Sequence, residues 1–341
     1  MFLSSIVGVA VAALGVVAPA TKVDKPIVVK VLVLNFDPIL PSDGGKRLHE
    51  AVHWQDPRKL AAGYVSDLEE ASKGFIKFKI VEWRDLDDVP VRVDGFKYTG
   101  ETYRTAWFVT RKMEQPERMD YPKTLLDNGV IPLVNSRKID EVWMFGAPGF
   151  GGFESCMAGP GAFFINGDTY DKVPSKRPFP IMGFSYERGV AEMVHDLCHR
   201  AECSVSHFYG GWDSDHPKTN WDRFSAWSKT PNSIAGVGTC HCPPNATGDY
   251  DYGDARTVLS TADDWLNYPN LTGATKPVSR DTWGVPDSKG QIDYQRTYLK
   301  WWFSHLPRAT GVNPDGRENN WWKYIFEFEK YDANGKLIKK R

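Results

Sequence analysis

The sequence has no strong charge of either sign: 42 basic residues stand against 43 acidic ones, a formal net charge of −1, and the one basic run is the closing Lys339-Lys340-Arg341. Without a basic field to meet a phosphate backbone, no nucleic acid partner is expected. Past the first 20 residues no apolar run approaches the roughly 20 needed to cross a bilayer as a helix, so no membrane span is expected. Internal repeats and low-complexity blocks are absent, and a composition 41% hydrophobic and 25% charged excludes disorder, collagen and a coiled coil.

What the chain does have begins at its N-terminus. Residues 1 to 20 carry no charged side chain, hold the apolar run Ile6 to Val17 and close on Ala18-Pro19-Ala20. That pattern predicts a secretory signal (1–20) cleaved near Ala20, hence a secreted, extracellular protein. The apolar run, about 12 residues, is too short for a membrane anchor. In an exported chain the five cysteines (Cys156, Cys198, Cys203, Cys240, Cys242) suggest one or two disulfides with a thiol left over, bridging the 198/203 pair to the 240/242 pair.

The remaining pattern reads as α/β, with α+β as the alternative. Ile27 to Asn35 is a β-rich apolar run, Pro57 to Ser72 has helical spacing, and Phe75 to Trp83 alternates as a strand. Tyr121 to Asn128 predicts a short helix, Glu141 to Phe145 a buried strand, and Ala162 to Asn166 a short edge strand after the Gly-rich loop 146–153. Tyr186 to about Ser204 is the clearest helix. From Gly210 onward turn residues interrupt the pattern, and only Gln291 to Ser304 and Asn319 to Lys330 look regular. This divides the mature chain into an α/β core (21–210) and a loop-rich part (211–341) packed on it. The second part carries nine of the thirteen Trp, either as an aromatic core or as a surface for flat ligands such as sugars.

The best helix carries the chemistry. At 100° per residue, Arg188, Glu192, His199, Glu202, Cys203 and Ser206 share a face with His195, whereas Val190, Met193, Val194, Leu197 and Ala201 lie opposite. His195-Asp196-Leu197-Cys198-His199 places two imidazoles one turn apart, near enough to share a Zn²⁺ at about 2.0–2.1 Å from each nitrogen. The carboxylate between them would sit beside the open position of the metal, where it could take a proton from an attacking water. This segment resembles the HExxH helix of the zincin metallopeptidases, with Asp196 in place of the usual glutamate, and the order of elements before it is similar. The resemblance implies a zincin-like mixed sheet with an active-site helix, zinc as the cofactor, His195 and His199 as ligands and Asp196 as general base. It does not fix the third ligand. His207, eight residues beyond His199, is the first choice, with Asp213, Asp215 or His216 as alternatives.

Two other clusters bear on ligands. Asp249, Asp251 and Asp254 put hard oxygen donors near a turn glycine, a spacing that suits Ca²⁺ in part. Cys240-His241-Cys242 offers three soft donors that either complete a metal site or join disulfides. The functional expectation is a secreted zinc hydrolase, a peptidase acting on extracellular protein. A carbohydrate-active or carbohydrate-binding protein, with Asp263 and Asp264 as paired acids and a glycan as partner, is one alternative; an inactive zincin-like binding module is the other.

Overall fold

The structure is a computed structural model that describes residues 24–213, 215–230 and 233–338. The expected secretory signal lies outside the described residues. The chain opens with strand β1 (Ile27–Phe36), helix α1 (Pro57–Ala71) and strand β2 (Ile76–Leu86). Helix α1 starts where Asp56 accepts a hydrogen bond from the Arg58 amide and Pro57 presets the first turn, a standard N-terminal arrangement. Helix α2 (Tyr121–Asp127) and strand β3 (Glu141–Gly146) follow, then the short strands β4 (Ser155–Ala158) and β5 (Thr169–Tyr170), and strand β6 (Phe179–Ser185). Helix α3 spans Val190–Tyr209, α4 spans Tyr294–His305 and α5 spans Trp322–Phe326.

The α/β expectation is met by a six-stranded mixed sheet in the order β2-β1-β3-β6-β4-β5. β1 pairs in parallel with both β2 and β3, β3 pairs in parallel with β6, and β4 runs antiparallel to β6. Val142 to Phe145 of β3 are all buried, as expected of a central parallel strand covered on both faces. The reversed strand is Ser155–Ala158 rather than Ala162 to Asn166, which forms turns and coil. The apolar run Ala162 to Ile165 misled because Gly159 and Gly161 hold positive φ on its approach and break the extended path.

Helix α3 leaves the C-terminal end of β6 through a four-residue turn. It begins at Val190 rather than Tyr186 because Tyr186 is held to the sheet, its amide donating to the Gly146 carbonyl (3.1 Å) and its hydroxyl to the Phe36 carbonyl (3.2 Å). α3 packs against α1, α4 and α5, so most of its residues are buried, polar ones included. An ion pair links it to the sheet: Arg200 donates to Glu141 of β3 at 2.7 Å, both residues 1% exposed.

The loop-rich remainder is an aromatic core. Six of its nine Trp (Trp221, Trp265, Trp283, Trp302, Trp321, Trp322) are buried, and they continue the packing of α3 and α4 without a break. No two cysteines stand at bonding distance, so all five are free thiols, although Cys198 and Cys240, one of the pairs the expected bridging would join, lie within hydrogen-bond reach of each other. Cys156 lies apart on β4, Cys240 Sγ faces His195 Nδ1 at 3.4 Å and Cys242 Sγ faces Asp249 at 3.4 Å.

Candidate functional site

Three imidazoles meet on α3. His195 and His199 come from the helix, one turn apart, and His241 comes from a loop 42 residues after His199; one ring nitrogen of each lies within 4.8 Å of the others. His199 Nε2 and His241 Nε2 are 3.0 Å apart. Two nitrogens held by one tetrahedral zinc at 2.0–2.1 Å stand about 3.3 Å apart, so this separation fits a shared ion with little movement.

The loop that delivers His241 is anchored on all sides. Gly238 adopts a left-handed conformation (φ 87°), and a Cβ there would meet the Cys242 carbonyl oxygen at 2.4 Å, so the turn requires glycine. From α4, Tyr298 donates to the Thr239 carbonyl (2.7 Å) and Trp302 to the Gly238 carbonyl (3.0 Å). Tyr252 donates to the Cys240 carbonyl at 3.0 Å. The ring of Tyr250 lies 4.3 Å from that of His241.

Glu202 ties helix to loop. One oxygen faces His199 Nδ1 at 3.2 Å, and the other accepts the Cys240 backbone amide at 2.6 Å. A carboxylate on the far nitrogen of an imidazole fixes the tautomer and ring orientation that a metal ligand needs. His199, Glu202 and Cys240 also stand close enough to form a second metal-capable group. Burial pushes the Cys240 thiol well above its ordinary pKa, however, and both Glu202 oxygens are already engaged. We therefore read this second group as the support of the first. Glu202→Gln should weaken zinc binding by roughly 10–100-fold, the usual cost of losing such a partner. Competition against a chromophoric chelator measures this; unchanged affinity would show that Glu202 does not orient His199.

The titration behaviour follows from packing. Burial, then the neighbouring His199 and His241, lowers His195 to about 3. Burial and His199 also lower His241. Burial opposes charge on His199 too, but hydrogen bonds to Cys240 and Glu202 outweigh it and raise that ring to about 11. Two of the three imidazoles are thus held in the neutral, ligand-competent form.

Asp196 lies apart from this trio. It lines a cleft of about 290 Å³ between α3, the end of β6 and the loop 146–154. Only 7% exposed, it takes no hydrogen bond or ion pair from the described residues. Burial, reinforced by Glu154 and Glu192, pushes its pKa well up. Glu154 lines the same cleft and lies within electrostatic reach of Asp196, His241 and Tyr250, so it joins cleft and imidazoles. Asn166 donates to its carboxylate from a left-handed backbone (φ 112°). Gly183 lets this loop lie close on β6: its amide donates to the Glu154 carbonyl at 2.9 Å, and a Cβ would stand 2.2 Å from the Phe153 carbonyl oxygen.

The remaining candidates go elsewhere. His207 lies two turns beyond His199 with its ring stacked on Phe163 (centroids 4.2 Å apart), outside both metal-capable groups. Asp213 and His216 pair with each other at 3.6 Å, and Asp215 pairs with Lys229. Among the described residues, Asp249, Asp251 and Asp254 form no metal-capable group. Asp251 instead accepts the amide and hydroxyl of Thr247, and Asp254 the amide of Arg256. Asp263 pairs with Lys276 and His305, and Asp264 accepts from Thr272 and Gly273, so both acids are spent on holding loops.

Sequence reasoning noted that Cys240-His241-Cys242 could complete a metal site but preferred His207, the shorter reach along the chain. Glu154, just beyond the glycine-rich loop, carries no motif that would single it out in the sequence. No protein-family model, curated protein or solved structure matches the chain.

Proposed function

We propose that this chain is a zinc-dependent hydrolase of zincin-like design, a peptidase, with His195, His199 and His241 holding the ion. The observation that carries the reading is the convergence of three imidazole nitrogens, one pair 3.0 Å apart, beside a cleft with its own carboxylates. An all-nitrogen donor set from a buried helix and a facing loop, with a carboxylate behind one ring, suits zinc. The element order supports the zincin-like reading: a strand-helix-strand opening, a reversed short strand near the sheet edge and a helix leaving the strand beside it. The N-terminal apolar segment supports export, which places the substrates outside the cell.

Zinc at such a site supplies a Lewis acid that polarises a carbonyl and makes water a stronger nucleophile at neutral pH. The protein's own residues do the rest. Glu154, which lines the cleft and lies within electrostatic reach of His241, is the carboxylate we assign as proton acceptor, and Asn166 holds it by a hydrogen bond. The resemblance to the HExxH helix would give that task to Asp196. Its neighbours, however, are Glu154, Glu192 and Arg188 rather than the imidazoles, which fits contact with substrate better. The exposed Phe153 ring and buried Phe150 and Met193 give the cleft an apolar wall.

Metal analysis of the purified protein, combined with a peptide-library assay, tests the proposal. Near-stoichiometric zinc, turnover abolished by a chelator and restored by zinc, and a loss of roughly 10²–10⁴-fold in kcat for Glu154→Gln with zinc retained are expected. Protein that binds no zinc, or turnover indifferent to chelation, would overturn it.

A further inference from the structure

The cleft beside the imidazoles has a lopsided charge. Glu117, Glu154, Glu192 and Asp196 line it, against the single cation Arg188. Arg188 is largely exposed at the rim and already shared between Glu187 (3.3 Å) and Glu192 (3.7 Å). Asp196, more than nine-tenths buried and without a hydrogen bond or ion pair among the described residues, lines this space. Buried without a partner, such a carboxyl group is costly to ionise, and an incoming cation offsets that cost.

The kind of cation follows from spacing and walls. The carboxylates do not draw together as an ion-binding group: among the described residues the metal-capable groups are both built around His199. They surround a volume instead, which suits a charge carried on a longer side chain. Phe153, 51% exposed, offers a ring face to a planar cation, and Phe150 and Met193 can cover an aliphatic stem.

We propose that this cleft is a specificity pocket for a guanidinium- or ammonium-bearing side chain, with Asp196 and Glu192 receiving its charged head. It deepens the peptidase reading and rests on it in one respect, the assumption that the cation belongs to a substrate residue flanking the cleaved bond. The pocket then selects arginine or lysine at that position. Glu117 at the mouth and Glu154 toward the imidazoles add attraction along the path.

Equilibrium binding separates this proposal from the hydrolase reading. N-acetyl-arginine amide and its neutral counterpart N-acetyl-citrulline amide are titrated calorimetrically into the full chain and into Asp196→Asn and Glu192→Gln. The asparagine is isosteric, and thermal melting confirms that each variant is folded. The arginine ligand should bind roughly 10-fold or more tightly than citrulline, as a charge-assisted hydrogen bond in a partly dry site predicts, and Asp196→Asn should remove most of that preference. Glu192→Gln should reduce it by a smaller factor and serves alone if Asp196→Asn misfolds. Equal binding of the two ligands, or a preference untouched by either variant, overturns the proposal. A preference lost in the variants of a protein that cleaves no peptide would leave the pocket standing and sink the hydrolase reading.

Discussion

His241→Ala is expected to lower zinc affinity by well over roughly 100-fold, more than the loss of an outer partner such as Glu202, while the chain remains folded. The ring sits on a loop whose backbone is fixed by Tyr298, Trp302 and Tyr252, so removing the imidazole deletes a ligand without releasing the loop. The matched control is His207→Ala. That ring stacks on Phe163 outside both metal-capable groups, and its loss should leave zinc affinity within a factor of about two, as expected of an additive, distant site. Zinc competition titrations on the two variants give opposite answers under the two ligand sets. Strong loss in His207→Ala with none in His241→Ala would restore the third ligand to the helix end and dismantle the site described above.

Arg200→Ala should destabilise the protein by about 3–5 kcal/mol, the cost of leaving a carboxylate buried without its counter-charge. The guanidinium lies at the junction of three elements. It donates to Glu141 of β3 at 2.7 Å and to the Ile325 carbonyl of α5 at 3.0 Å, and its plane sits 5.0 Å from the Phe326 ring. Without it, Glu141 keeps one hydrogen bond, from Trp143 Nε1 at 2.7 Å. Pairing Arg200→Met with Glu141→Gln leaves no charge buried and keeps an acceptor for Trp143, so it should recover part of the loss. Denaturation midpoints of the single and double variants decide the matter. A single variant within about 1 kcal/mol of the parent would mean that water reaches Glu141 in place of the arginine.

Much of the frame was legible because its signals are local. The apolar run of β1, the helical spacing of α1 behind an Asp-Pro start and the buried run of β3 each follow from neighbouring residues, and each lies within a few positions of its expected limits. β6 was missed because Pro180 and Gly183 sit inside it. The proline comes near the start of the strand, and the glycine is there to admit the Phe153 carbonyl, a demand set by a segment thirty residues away. The site divides the same way. The pair His195/His199 is written in one helical turn, whereas His241 and Glu154 reach it only through the folding of two glycine-rich loops. The aromatic remainder left two readings open in the sequence; six of its nine Trp are packed in the core, whereas Trp212 is 40% exposed.

The bridge made by Glu202 has one more consequence. Its two oxygens hold a helix that leaves the sheet and a loop anchored in the aromatic core, so the imidazole trio exists only when those halves are docked. A nascent chain emerging as far as residue 210 would carry the histidine pair and yet have no grip on an ion. The three rings can therefore come together only after synthesis has passed residue 241 and the late Trp cluster has closed around α4.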